Sequence, residues 1–182
     1  MVETDRGSLP FSLVHGEPLV AAAAWAMGEA GVHLVDLVTS WEAIVETEAP
    51  FVLHDALCPL TPPAFLAACV NRAEESAAVT VGVRPVTDTV KELHDSHIGA
   101  THDRAELIQV VSPVVLPAGV VAALDGLPTT DFVTLVAELA TRFPVETLEA
   151  PAEARRVADE SDLRVLEALT APQSQNSPRS DG

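Results

Sequence analysis

Short runs rich in valine and leucine alternate with segments of helical spacing along most of this chain, and no other feature restricts its fold so tightly. The runs are VHLVDLV (32–38), FVLH (51–54), AAVTVGVR (77–84), ELIQVV (106–111) and a stretch near 145–149. Between them, Pro18 and Gly31 frame an alanine-rich helix from about 18 to 30, and Ser40 can cap a short helix in SWEAIVET. Thr61 reads as an N-cap with Pro62 at the first helical position, after which Phe65, Leu66, Cys69, Val70 and Ala73 repeat at helical spacing. Ser112-Pro113 reads as a turn after a strand, and helices are expected near 117–125, 131–140 and 160–169. KELHDSHIGATHD suggests a polar hairpin or arm. Strands joined through helices imply an α/β fold, a mostly parallel sheet with helices on both faces. One domain over residues 1–170 is expected, with the polar APQSQNSPRSDG (171–182) as a disordered tail.

At 182 residues with 48% hydrophobic side chains, the chain is long enough to bury a core. Its formal charge of −17 comes from 27 acidic and 10 basic residues, with Lys91 the single lysine. Such a balance repels phosphate backbones and anionic lipid, so neither nucleic acid nor a membrane surface is an expected partner. Cys58 and Cys69 are too few for a disulfide framework and fit a reducing compartment. MVETDRGSLP lacks the basic flank and apolar centre of a signal peptide. LVAAAAWAM (19–27) is too short to cross a bilayer, and 107–124 is interrupted by Gln109, Ser112, Pro113 and Pro117. A cytoplasmic protein is expected.

The stretch FVLHDALCPLTPPAF (51–65) joins a buried-strand pattern to a proline-built turn through His54 and Asp55. In open α/β sheets ligands bind just beyond the carboxyl ends of strands, which makes this pair a candidate site. The plainer alternative is that Asp55 caps the turn and His54 is a satisfied histidine at a sheet edge. His94, Asp95, His97, His102 and Asp103 crowd one polar segment. His-x-x-His spacing there offers two zinc ligands without a fixed fourth, so a solvated arm is the expected reading. Gly-x-Ser-x-Gly, Cys-x-x-Cys and the Walker loop do not occur in the sequence.

VLHDALCPLTPPAF, then VRPVTDTVK, THDR, Ser112-Pro113, TTD and RRVADESDL, in that order, resemble the methylerythritol phosphate cytidylyltransferase family. That family makes the cytidine diphosphate intermediate of the non-mevalonate isoprenoid route. The resemblance covers most of residues 9–169 and implies a nucleotide-diphospho-sugar transferase-like fold with a short β-arm. It implies Asp55 as the neighbour of a nucleotide and its Mg2+, with His54 beside it. Asp88, Thr89 and Arg104 match the family's Asp-Thr and Asp-Arg on the arm, where threonine and arginine hold the sugar phosphate across a dimer. Arg156 aligns with the lysine that orients the attacking phosphate. A guanidinium suits that task because its planar fork donates bidentate bonds. The alternative for Arg104 is a solvated hairpin charge paired with Asp103. A homodimer through residues 88–104, and CTP or a sugar phosphate as ligand, follow as implications.

Several positions depart from the family pattern. The motif His-Asp-Ala-Ala-Arg-Pro reads His54, Asp55, Ala56, Leu57, Cys58, Pro59 here, so a cysteine replaces the arginine. Thr-Pro-Gln becomes Ser112-Pro113-Val114, and the acidic residue after TTD becomes Phe132. Leu9 stands where the family's glycine-rich loop carries its lysine, and no Gly-x-Gly precedes it, unless translation begins upstream of Met1. Nucleotidyl transfer rests on positioning and electrostatic stabilisation, and one missing donor costs about a hundredfold to a thousandfold. The expectation is a divergent member, catalytically impaired, acting as a binding or regulatory protein. The alternatives are an active nucleotidyltransferase and a structural partner that binds no nucleotide.

Overall fold

A computed structural model describes residues 7–36, 38–86, 91–94, 97–101 and 107–171, with the backbone alone described at 91–94 and 97–101. A two-residue turn at His15 and Gly16, with φ of 48° and 88°, joins β1 (Leu13–Val14) to β2 (Glu17–Pro18) in a small antiparallel hairpin. Positive φ at both central positions is what such a turn requires, and glycine meets it without strain. α1 (Leu19–Glu29) and α2 (Trp41–Val45) follow, the latter capped by Ser40, whose hydroxyl accepts from the Ala43 amide. The remaining elements are β3 (Phe51–Leu53), α3 (Pro63–Ser76), β4 (Val79–Pro85), the hairpin pair β5 (Lys91–His94) and β6 (His97–Thr101), β7 (Ile108–Leu116), α4 (Ala118–Ala122), α5 (Phe132–Ala140), β8 (Val145–Glu149) and α6 (Glu160–Thr170). The fold class expected from the sequence is therefore present.

The main sheet has the strand order β3-β7-β4-β8. β7 runs antiparallel to both β3 and β4, whereas β4 and β8 are parallel. Three strands thus share one direction, yet two of the three ladders are antiparallel and the sheet is mixed. The reason lies in the connection: the chain between β4 and β7 contains the β5–β6 hairpin and no described helix, so it returns beside β4 instead of crossing over the sheet. One face packs Val79, Val81, Val83, Val114 and Leu116 against Val120, Val121, Leu135 and Leu139 from α4 and α5. On the other face Val115 packs with Cys69 and Ala73 of α3, and α1 covers α3 through Ala26, Met27 and Leu66. Period-two alternation along β7 sends Val115 to the side opposite Val114 and Leu116.

Three local expectations are corrected. Residues 32–36 form no strand, because no neighbouring strand pairs with them; Asp36 instead turns the chain by accepting from the Val38 and Thr39 amides. Thr61 does not cap α3: Pro62 is the N-cap, Pro63 opens the helix, and the Thr61 hydroxyl donates to the Cys58 carbonyl at 2.9 Å. Nor does β7 stop at Ser112-Pro113. It continues to Leu116 through a register shift, in which residues 81 to 83 of β4 lie opposite residues 110 to 114 of β7. A bulge is where a strand accommodates a residue that lacks an amide proton. Residues 172–182, the expected tail, lie outside the described residues.

Gly82 makes the bulge sterically feasible. A Cβ built on it would lie 2.9 Å from the Ser112 carbonyl oxygen, 3.1 Å from its carbon and 3.3 Å from the Pro113 nitrogen, all backbone atoms that cannot rotate away. Gly82→Ala is expected to destabilise the fold by about 1–3 kcal/mol, the usual cost of overpacking. Urea unfolding should show a lower midpoint with an unchanged slope.

Candidate functional site

The strand-end motif is built on β3 and on the bulge of β7. Just past Leu53, the Asp55 amide donates to the Ser112 hydroxyl oxygen at 2.9 Å, and that oxygen lies 2.6 Å from His54 Nδ1. Ser112 Oγ thus accepts from the Asp55 amide, and the direction of its bond to His54 follows the tautomer of the imidazole. Nε2 is itself buried and makes no hydrogen bond of good geometry. Burial lowers the His54 pKa from 6.5 to about 4; the Asp55 charge and the Cys58 backbone act in the opposite direction without offsetting it.

Asp55 secures the turn that follows β3 and also pairs with a distant arginine. Its Oδ1 accepts from the Leu57 amide at 2.9 Å, while its backbone carbonyl accepts from the Cys58 amide at 2.8 Å, which fixes the turn. Oδ2 meets Arg156 Nε at 3.0 Å in an ion pair; the Asp55 side chain is 6% exposed and that of Arg156 37%. The residue expected beside the nucleotide and the residue expected at the substrate phosphate are therefore bonded to each other. Both carboxylate oxygens of Asp55 therefore already have protein partners. Among the described residues no group of three His, Cys, Asp or Glu side chains is placed to hold a metal ion.

The segment that carries Arg156 is held at three points. The Ala150 amide donates to the Val83 carbonyl at 2.8 Å, the Val157 amide donates to the Leu57 carbonyl at 2.7 Å, and Arg84 Nη1 donates to the Pro151 carbonyl at 2.6 Å. Of the two adjacent arginines, Arg155 turns away to Asp162 at 3.0 Å, near the start of α6. Ser112 and Arg84 were not picked out as site residues by the sequence. Ser112 stood there as part of a turn and of the family resemblance, and nothing local marks Arg84 as a tether for a segment so distant in the chain. Asp88, Thr89, Arg104, His102 and Asp103 lie outside the described residues, and the side chains of His94 and His97 are not described. Cys58 and Cys69 are both buried, and burial pushes the Cys69 thiol up to about 12. No described helix is long and apolar enough to cross a membrane.

A family model described as 2-C-methyl-D-erythritol 4-phosphate cytidylyltransferase matches residues 30–171. The chain belongs to this family. A relative of that name from Frankia casuarinae is 33% identical over 179 residues, covering 91% of this chain and 66% of the relative. One from Nocardia farcinica is 32% identical over 142 residues, covering 76% and 61%. The chain thus spans just under two thirds of the length of these relatives. Among solved structures, the enzyme of that name from Thermus thermophilus superposes with a TM-score of 0.67 at 21% identity, covering 90% of this chain and 94% of that one. A structure titled 4-diphosphocytidyl-2C-methyl-D-erythritol synthase gives 0.66 at 18%, covering 88% and 93%. These likenesses show the mixed-sheet α/β fold.

The depressed His54 pKa has a signed consequence. The unfolded chain takes up a proton near pH 6.5 and the folded chain only near 4, so the contribution is complete above 6.5 and is lost as pH falls from 6.5 to 4. The loss amounts to about 3 kcal/mol. Denaturant unfolding at a series of pH values should show this decline in the wild type. In His54→Asn, whose side-chain amide can still hydrogen-bond Ser112, the decline over that interval should be shallower.

Proposed function

We propose that this family member is a binding protein for a phosphate monoester, acting in a binding or regulatory capacity, with weak or no cytidylyl transfer. One observation carries this reading: Asp55 holds Arg156 by Nε, leaving the terminal Nη groups without a partner among the described residues on a side chain that is 37% exposed. A guanidinium positioned from one side presents its remaining donors to a phosphate with little loss of side-chain entropy. Thr89 and Arg104, placed at the substrate phosphate by resemblance, are proposed to complete the site. A homodimer through residues 88–104 belongs to the same reading.

The same ion pair argues against nucleotide chemistry. The carboxylate expected to face the nucleotide and Mg2+ is engaged by Arg156 and Leu57. Cys58, fully buried, occupies the position of the motif's arginine, so the strand end lacks that positive charge. The chain's net charge of −17 further opposes a triphosphate. Weak or absent binding of CTP with Mg2+ follows. The second reading is cytidylyl transfer in isoprenoid precursor synthesis, favoured by 33% identity to a relative named for that activity.

Pyrophosphate release on mixing with CTP, Mg2+ and methylerythritol phosphate should be at least about a hundredfold below that of an active family enzyme, the cost of one missing stabilising group. Release at a comparable rate would establish the transfer reading. Titration with sugar phosphates followed by NMR should shift resonances in the wild type and much less in Arg104→Ala and Arg156→Ala. Equal shifts in all three proteins, or none in the wild type, would remove the monophosphate site.

A further inference from the structure

Arg156 sits on a stretch of chain that belongs to no strand and no long helix. β8 ends at Glu149 and α6 begins at Glu160, and between them only the single turn Ala152–Ala154 is regular. The position of the Arg156 guanidinium is therefore set by what grips this stretch at its two ends. Toward α6 the grip is the turn after β3: the Leu57 carbonyl accepts from the Val157 amide, and Asp55 accepts from Arg156 itself.

Toward β8 the grip is β4, which uses two consecutive residues in different ways. The Val83 carbonyl accepts from the Ala150 amide at 2.8 Å, an extension of the parallel β4–β8 ladder. Arg84 makes a contact that the ladder cannot. Its Nη1 donates to the Ala150 carbonyl at 3.3 Å and to the Pro151 carbonyl at 2.6 Å, with one proton for each. The Pro151 carbonyl also accepts from the Ala154 amide at 3.0 Å, so the arginine holds the oxygen that closes the Ala152–Ala154 turn. Ala150 and Ala154 are buried in one cluster with Val111, with Phe65 packed against it, and a carbonyl left without a donor in such surroundings is costly. An apolar side chain at 84 would leave both carbonyls without this donor, and a lysine would keep the charge but not the planar fork.

We propose that Arg84 is a positioning residue for Arg156. It fixes the first half of the segment, as Asp55 and Leu57 fix the second. With both halves held, the Arg156 guanidinium keeps one orientation beside Asp55, and an anion that meets it meets a preorganised donor. Only this consequence for binding rests on the monophosphate reading given above; the positioning of Arg156 does not.

The test compares the wild type with Arg84→Met, which keeps the length and loses the donors, and with Arg84→Lys, which keeps the charge. Amide exchange at Ala150 and Ala154 should be faster in Arg84→Met and intermediate in Arg84→Lys, with exchange in α1 unchanged. The NMR signal of Arg156 Nε–H, identified by its loss in Arg156→Ala, should move and broaden in the same order. A general loss of stability would not single out that signal. Glycerol 3-phosphate should bind about tenfold more weakly to Arg84→Met, the equivalent of one charge-assisted bond, and Arg84→Lys should recover part of the loss. An Arg156 signal and amide exchange in Arg84→Met that match the wild type overturn the proposal. Unchanged binding in that variant, when the wild type binds, overturns it too. Should Arg84→Met fail to fold, Arg84→Gln takes its place with the same expectations. If the wild type does not bind glycerol 3-phosphate but the Arg156 signal still moves, the positioning stands and the monophosphate site is removed.

Discussion

The close approach of β4 to β7 at Gly82 is the constraint on which the strand-end site depends. Backbone meets backbone where Gly82 has no side chain, and the resulting bulge delivers Ser112 to the end of β3. From there one hydroxyl serves two neighbours, accepting from the Asp55 amide and sharing a hydrogen bond with His54 Nδ1. A completely buried serine is tolerated because its hydroxyl has two hydrogen-bond partners. The direction of β7 matters equally. As the central antiparallel strand it touches β3 and β4 together, so a distortion at one residue reaches the turn that carries Asp55.

Asp55 then joins two regions that are far apart in the chain. Its carboxylate secures the turn after β3 through Leu57 and secures Arg156 through Oδ2, and the Val157 amide closes the circuit on the Leu57 carbonyl. Burial raises the value of such an ion pair only when the carboxylate's other bonds are satisfied, and here they are. The consequence for function is one of allocation. On the reading proposed above, the carboxylate is occupied by the guanidinium, and the guanidinium is the group that meets a phosphate monoester.

Much of the fold was legible in the sequence. The helices beginning near residues 19, 41, 63, 132 and 160, and the strands beginning near 51, 79, 108 and 145, follow from apolar spacing, proline and glycine punctuation, and caps such as Ser40. The misreadings share a cause. Val32–Asp36 has the composition of a strand, but a strand exists only through its partner, and none adjoins it among the described residues. Pro113 signalled a turn because proline removes a ladder donor, and the bulge absorbed that loss without ending β7. The mixed sheet escaped notice because strand direction depends on how the chain returns after β4, a property that periodicity does not encode.

The site divides in the same way. Sequence alone determined that an acidic residue stands just past a strand end, that an arginine stands in the RRVADESDL segment, and that cysteine replaces the arginine of the family motif, because these are statements about residue type and order. Tertiary structure alone decided that Asp55 and Arg156 bond to each other, that burial lowers the pKa of His54, and that Ser112 holds the turn. Each of these depends on distances between segments far apart in the chain, and on burial that sets the cost of charge. Such quantities arise only when the sheet closes around Gly82.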